Sequence, residues 1–156
     1  MERLLVPKEY FMVSGIGESD TSNLNAFDKA LVAAGISQCN LVPVSSILPK
    51  SAIEVKPKRI EPGQVTFVVM GKASGKRGDI ISTGVAIGYV EGGENDLIVE
   101  LDQDGGADAV RNRLSVLLNE MASARGATIS RTKEEVCELR IRRAHGVAVA
   151  AVVLLL

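Results

Sequence analysis

The sequence predicts an α+β protein in which helices cover β-sheets. Segments rich in β-branched residues alternate with glycine-containing stretches, which is typical of strands joined by turns. Two other segments repeat apolar residues at steps of three and four, which is typical of amphipathic helices. Because the order is strand, helix, strands, helix and a final strand pair, we expect two sheets, or one large sheet, layered with helices. The 156 residues are predicted to form a single domain, 1–156.

The first strand is predicted at Tyr10–Ile16, and Gly15–Asp20 is predicted to be a loop that leads into a helix. Ser22 or Asn23 can cap this helix, and Gly35 ends it. The spacing of apolar residues predicts a buried stripe made of Leu24, Phe27, Leu31 and Ala34.

Further strands are predicted at Val65–Met70, Ile80–Val90 and Leu97–Leu101, with a glycine-bearing loop at Gly71–Gly78. A second amphipathic helix follows and closes at Arg125 and Gly126. Its apolar stripe is predicted to contain Ala107, Val110, Leu114, Leu117 and Met121.

The C-terminal part is predicted to form a pair of strands. Cys137, Leu139 and Ile141 alternate with charged residues, which indicates a strand with one solvated face. A turn at His145 and Gly146 leads into an apolar tail that ends at residue 156. This tail is well under the roughly 20 residues that a transmembrane helix needs, so we expect a buried strand and no membrane partner.

Composition excludes one class of partner and favours one compartment. The net charge is −1, and the only aromatic residues are two tyrosines and three phenylalanines, so neither charge nor stacking favours nucleic acid. Cys39 and Cys137 are not in a CxxC spacing, and the short, charged segment 1–8 leads us to expect no secretory leader. We therefore expect a reduced, cytoplasmic setting.

Motif-like patterns elsewhere are interpreted as ordinary structure. The segment 71–76 lacks the spacing and the hydroxyl of a phosphate loop, and 15–20 lacks the third glycine of a dinucleotide fingerprint. His145 is the only histidine, which excludes a multi-histidine metal site. The acidic residues between 100 and 108 lack the order of a calcium loop. We therefore predict no metal cofactor.

The adjacent hydroxyl residues Ser45 and Ser46 are the main candidate for chemistry. They lie between Pro43 and Pro49 in a run of apolar residues, which should hold the backbone extended. A backbone that cuts itself between two hydroxyl residues could create a cofactor from the protein. The alternative is an ordinary loop with two serines.

Two carboxylates lie beside apolar positions. Asp28 is one turn after Leu24, so it flanks the apolar face of the first helix. Glu100 lies in an apolar strand, where alternation puts it on the same face as Ile98. Desolvation on that face should raise the pKa of Glu100 and suit it to donate a proton near neutral pH. An edge-strand glutamate that faces water is the alternative.

These patterns together resemble the pyruvoyl-dependent arginine decarboxylase family. The resemblance is carried by 24–28 (Leu-Asn-Ala-Phe-Asp), by the spacing Asn-x4-Ser-Ser-Ile-x-Pro from Asn40, and by Ile-Val-Glu at 98–100. It implies a four-layer αββα sandwich of mainly antiparallel sheets covered by helices. It also implies a trimer of cleaved protomers, or a higher assembly of such trimers.

The resemblance further implies self-cleavage between Ser45 and Ser46, which leaves fragments 1–45 and 46–156. Ser46 would become a pyruvoyl cofactor, so pyridoxal phosphate is not needed, and Asn40 would help to stabilise the oxyanion. Glu100 would act as the proton donor. Asp28 would bind the guanidinium of the substrate, and Leu24 would line its aliphatic part.

The activity that the resemblance implies is conversion of L-arginine to agmatine and carbon dioxide, within polyamine synthesis. Two alternatives stay open: decarboxylation of another basic amino acid, such as lysine or ornithine, or an unprocessed structural or regulatory homologue. Lys50 departs from the family pattern, in which a second proline often follows Pro49. We expect a looser or differently charged segment there.

Overall fold

The structure is a computed structural model that describes residues 4–156, and for residues 103 and 104 it describes the backbone. In this part of the chain it has two helices and nine strands. Their order is β1 (Glu9–Ser19), α1 (Asn23–Ala34), β2 (Asn40–Pro43), β3 (Ile47–Pro49), β4 (Ile53–Glu54), β5 (Val65–Lys76), β6 (Ile80–Val90), β7 (Asn95–Asp104), α2 (Ala107–Ala124), β8 (Ile129–Arg140) and β9 (His145–Leu155). No helix of residues 4–156 combines the length and the apolar character that crossing a membrane would require.

The strands form two sheets, one in the order β2-β5-β9-β1-β4 and one in the order β3-β7-β6-β8. Most pairings are antiparallel, and the parallel ones in the described sheets are the short contacts β1–β4 and β2–β5. The apolar tail is β9, at the centre of the five-stranded sheet. It is buried from Gly146 to Leu155, which confirms the prediction of a buried C-terminal strand.

The layers are stacked as helix, sheet, sheet and helix. Helix α1 packs on the outer face of the five-stranded sheet, with Phe11 and Val149 in that layer of the core. Met12 and Val152 of the same sheet meet Ile87 of the other one between the two sheets. Helix α2 covers the outer face of the four-stranded sheet. The α+β class, with sheets covered by helices, is therefore confirmed.

Helix α1 buries a face that shares only Ala34 with the predicted stripe. Its buried residues are Ala26, Ala30 and Ala34, whereas Leu24 is 74% exposed. Phe27 and Leu31 are only partly buried. The N-cap is Ser22 and Gly35 ends the helix, as predicted.

The glycines of β1 explain this choice of face. The predicted loop at Gly15–Asp20 is wrong, because β1 continues to Ser19. A Cβ on Gly15 would lie 2.2 Å from the Ala30 carbonyl oxygen, and one on Gly17 would lie 2.3 Å from that of Ala26. The helix backbone therefore approaches the strand so closely that only alanines fit between them.

The predicted loop at Gly71–Gly78 is also mostly strand, since β5 runs on to Lys76. A Cβ on Gly71 would lie 2.3 Å from Thr83 Oγ1 of the facing sheet, so this glycine permits a close approach of two sheets. The chain turns later, at Gly78, where φ is +95°. Helix α2 forms where it was predicted, but its stripe is only partly as predicted. Val110 and Leu114 are buried, whereas Ala107, Leu117 and Met121 are partly buried and the other fully buried positions are Leu118 and Ala122.

Candidate active site

The link between Ser45 and Ser46 lies where the chain crosses from one sheet to the other. On one side, β2 belongs to the five-stranded sheet and its pairing is continued by a bond from Val44 N to the Val68 carbonyl at 2.8 Å. On the other side, Ile98 N donates to the Ser46 carbonyl at 2.8 Å, and β3 pairs with β7. Ser45 is exposed and Ser46 is half-buried. The link is thus accessible while both of its flanks are held.

Ser46 and Glu100 open into the same cleft, which has a volume of about 410 Å³. The floor of this cleft comes from β7 and its wall from the last two turns of α2. The other lining residues are Val99, Leu117, Glu120, Met121, Ala124 and Arg125. The fold therefore brings together the two residues that were predicted to carry the chemistry.

Glu100 lies at an open edge of the four-stranded sheet, as in the alternative of an edge-strand glutamate, and its neighbours cover it only in part. It pairs with Val85 of β6, and β3 covers β7 only from Asn95 to Leu97, so this strand is an open edge beside Glu100. The side chain is exposed in the lone chain. Even so, partial burial raises the pKa of Glu100, and the negative charge of Asp102 raises it further. This is the direction that a proton donor requires.

Asp28 and Leu24 do not reach this cleft within one chain. Both are exposed on α1, which covers the opposite outer face of the sandwich from α2. No ion pair among residues 4–156 involves Asp28. A role for these two residues beside Ser46 would need a second copy of the chain.

Asn40 is also distant from the serine link in a single chain. Its side-chain amide donates to the Gly63 carbonyl at 3.0 Å, and its backbone N donates to the Gln64 carbonyl at 2.8 Å. An extended strand rises about 3.3 Å per residue, which puts Asn40 roughly 13 Å from Val44. Its role as an oxyanion donor stays a prediction, and within one chain its amide is instead bonded to Gly63.

The sequence analysis did not assign Leu117, Glu120, Met121 or Arg125 to the site. Leu117 and Met121 were predicted as helix core, and they do pack at the edge of the α2 core while they also face the cleft. Leu117 and Met121 lie at the edge of the apolar face of α2, and an apolar residue at such an edge was the available sign that part of this face stays open. Among residues 4–156, no group of three or more potential ligands could hold a metal ion.

Comparison with known proteins agrees with the resemblance. The family model for pyruvoyl-dependent arginine decarboxylase matches residues 9–156. A pyruvoyl-dependent arginine decarboxylase of Methanopyrus kandleri is 38% identical over 149 residues, which cover 95% of this chain and 97% of that protein. One of Archaeoglobus fulgidus is 37% identical, covering 82% of this chain and 84% of its own length. One of Methanothermobacter thermautotrophicus is 34% identical, covering 97% and 99%.

The range matched by the family model runs from β1 to the end of the chain and spans both helices and all nine strands of the described residues. The chain therefore belongs to the pyruvoyl-dependent arginine decarboxylase family.

Proposed function

We propose that this protein is a self-processing pyruvoyl-dependent decarboxylase that converts L-arginine to agmatine and carbon dioxide, a step in polyamine synthesis. The observation that carries the proposal is the shared cleft of Ser46 and Glu100. Family membership over nearly the whole chain supports the substrate.

Self-cleavage begins at the Ser46 hydroxyl, which attacks the Ser45 carbonyl carbon. The amide C–N bond breaks as the new C–O bond forms, so an ester replaces the amide. Removal of the Ser46 α-proton then expels Ser45 as a carboxylate and leaves dehydroalanine. Water converts this residue to a pyruvoyl group and releases ammonia. Asn40 of a neighbouring subunit would donate to the oxyanion of the first step.

The two fragments, 1–45 and 46–156, would stay together without a covalent link. The first fragment contributes β1, which pairs with β9 along its whole length, from Glu9 with Leu155 to Ser19 with His145. It also contributes β2, which pairs with β5. A strand pairing of this length is costly to separate, because the backbone groups that bond across it would lose their partners. We therefore expect the cut protein to remain one domain made of two chains.

A pyruvoyl group at Ser46 supplies a ketone that condenses with the substrate amine and an adjacent carbonyl that accepts the electron pair released with carbon dioxide. The half-buried position of Ser46 at the mouth of an apolar cleft fits such a group, because the reacting carbon is accessible and water is partly excluded. Glu100, with its raised pKa, holds a proton in the same cleft and delivers it to the α-carbon that loses carbon dioxide. Neither pyridoxal phosphate nor a metal enters this scheme.

Recognition of the guanidinium is assigned to Asp28 of a neighbouring subunit, with Leu24 against the aliphatic stem of the substrate. A carboxylate binds a guanidinium through two parallel hydrogen bonds, and a single ammonium cannot reproduce that geometry. Apolar side chains are exposed both on α1, where Leu24 is 74% and Val32 59% exposed, and around the serine link, where Ile47 is 44% exposed. These surfaces support a homotrimer, in which α1 of one protomer covers the cleft of the next.

A cytoplasmic location is part of the proposal. Both cysteines, Cys39 and Cys137, are free thiols in the fold. This fits a reducing compartment.

Mass analysis of the purified protein tests the cleavage. We expect two fragments that meet between residues 45 and 46, the longer one with a pyruvoyl group at its start. The Ser46→Ala variant should stay intact and inactive, whereas Ser51→Ala, an exposed serine beyond β3, should be cut and active. An intact wild-type chain that decarboxylates arginine would refute the mechanism.

The Asp28→Asn variant tests the substrate. We expect a higher KM for arginine, with the cut unchanged and with lysine and ornithine remaining poor substrates. Asp108→Asn is a matched control, because Asp108 is an exposed carboxylate on the other helix, paired only with Arg111. Unchanged arginine kinetics in Asp28→Asn would remove the guanidinium role, and faster turnover of lysine than of arginine by the wild type would change the substrate.

A further inference from the structure

Lys50 and Asp96 form an ion pair beside the short strand that follows the serine link. Lys50 Nζ lies 2.6 Å from Asp96 Oδ1 and also donates to the Val90 carbonyl. The Asp96 side chain is 8% exposed, and its Oδ1 accepts a hydrogen bond from Val90 N at 2.8 Å. The pair therefore ties the end of β3 to the start of β7 and to the last residue of β6. The segment at Lys50 was expected to be looser or differently charged, and the structure shows that its charge forms an ion pair.

The strand between this pair and the serine link is very short. Only Ile47, Leu48 and Pro49 separate Ser46 from Lys50. Pro49 has no N–H to give to the pairing with β7, and Ile47 is largely exposed, so Leu48 is the one residue of β3 whose side chain is fully buried. Three residues at the edge of a sheet form a weak attachment by themselves.

Cleavage changes what holds Ser46 in place. In the uncut chain, Ser46 is tied on one side to β2 through Val44 and on the other side to β3. After the cut, the side toward Val44 is free, and the residue at position 46 becomes a chain end. Chain ends fray unless neighbouring contacts hold them. The remaining contacts are the bond from Ile98 N to the Ser46 carbonyl, the three residues of β3, a longer backbone bond from Lys50 N to the Glu94 carbonyl at 3.2 Å and the ion pair of the Lys50 side chain.

We propose that the Lys50–Asp96 ion pair is a positioning device that holds the cofactor-bearing end of the cut chain against β7. This inference rests on the proposed self-cleavage. Four residues of extended chain put Lys50 roughly 13 Å from Ser46, so the pair touches neither substrate nor reacting atoms. It acts through β3, which it keeps in register with β7 and therefore beside Glu100.

The inference separates the two activities of the protein. Before the cut, both flanks hold the link, so loss of the pair should leave cleavage unchanged. After the cut, loss of the pair should let position 46 move relative to Glu100, and a displacement of about 1 Å can lower the rate of a positioned reaction by up to about a hundredfold. The effect should fall on kcat and not on substrate binding.

The experiment measures kcat per pyruvoyl group in the cut holoenzyme, with the pyruvoyl content determined by mass spectrometry. Lys50→Met should be cut like the wild type and should lose about tenfold or more in kcat, with a KM for arginine that changes by less than about threefold. Lys50→Arg, which keeps a cation beside Asp96, should restore most of the rate. Lys58→Met is the matched control, because Lys58 pairs with Glu9 at 2.5 Å on an exposed surface away from β3.

Hydrogen exchange distinguishes local loosening of β3 from a general loss of stability. Amide exchange at residues 47–49 should be faster in cut Lys50→Met than in cut wild type. The same substitution in the uncut Ser46→Ala chain should leave exchange of this segment close to that of Ser46→Ala alone. Equal acceleration in the cut and uncut proteins would overturn the inference, as would an unchanged kcat in cut Lys50→Met.

A second variant covers the case in which Lys50→Met does not fold because Asp96 is left buried and unpaired. Lys50→Met/Asp96→Asn removes both charges and keeps an oxygen to accept from Val90 N. The double variant should show the same loss in kcat and the same local exchange, and wild-type values of both would overturn the inference. An intact wild-type chain would instead refute the proposed self-cleavage, and the inference would fall with it.

Discussion

Substitution of Gly17 by alanine tests how closely α1 lies against β1. A Cβ at this position would lie 2.3 Å from the Ala26 carbonyl oxygen and 2.5 Å from Ala30 N, both of them backbone atoms of the helix. Backbone atoms in a helix cannot rotate away as a side chain can. The helix must therefore move by about 1.1 Å to bring the closer contact to 3.4 Å, the shortest ordinary van der Waals separation.

Overpacking of this kind costs about 1–3 kcal/mol of the free energy of unfolding. For a chain of this size we expect the melting temperature of Gly17→Ala to fall by roughly 3–10 °C. Thermal unfolding followed by circular dichroism, at matched subunit concentrations, measures the change. Gly106→Ala is the control: its new Cβ meets only the flexible Glu138 carboxylate, at 3.1 Å, so a cost below about 1 kcal/mol is expected. A melting temperature of Gly17→Ala within about 1 °C of the wild type would refute the close contact.

Three further predictions concern the site and the core. Because partial burial raises the pKa of Glu100, its acid form persists to higher pH, and kcat should fall as pH rises through that pKa. Glu100→Gln should lower kcat by about 10²–10⁴-fold, and the remaining kcat should no longer fall over that pH range. The same raised pKa means that the stability contributed by Glu100 is present at low pH and is lost as pH rises, so urea unfolding of Glu100→Gln should depend less on pH. Tyr10 and Tyr89 share a buried hydrogen bond of 2.9 Å between their hydroxyls. Each single change to phenylalanine should lower the free energy of unfolding by about 1–3 kcal/mol. If the losses simply add in the double variant, the pairing is contradicted. Leu114→Ala, fully buried under α2, should cost about 2–5 kcal/mol in urea unfolding, and a cost under about 1 kcal/mol would contradict that packing.

Local patterns in the sequence predicted the elements whose apolar residues are the ones that the fold buries. Helix α2 has a regular apolar stripe over one face, and the fold buries that face on a single sheet. The C-terminal strand is apolar at every position after His145 because it has a strand on each side and a layer on each face. In both cases the residues that lose water in the fold are the residues that are apolar, so hydrophobic pattern and structure agree.

The same reasoning failed where glycines permit close approach. Glycine clusters are typical of turns, and they predicted loops at 15–20 and 71–78, yet both clusters lie largely inside long strands. Their role is to leave out a side chain so that a helix or a second sheet can come near. That role depends on a partner distant in the sequence, which a local pattern does not contain. The buried alanine face of α1 was missed for the same reason.

The sequence by itself determined the chemistry that is available: two adjacent hydroxyl residues in an extended segment, a glutamate among apolar residues and the arrangement of strands and helices. Only the tertiary structure decided which of these groups meet. It places Ser46 and Glu100 in one cleft because β3 pairs with β7, and it leaves Asp28 on the far side of the sandwich because α1 covers the other sheet. The physical reason is that side-chain identity is local, whereas proximity is created by strand pairing and layer packing between residues that are far apart along the chain.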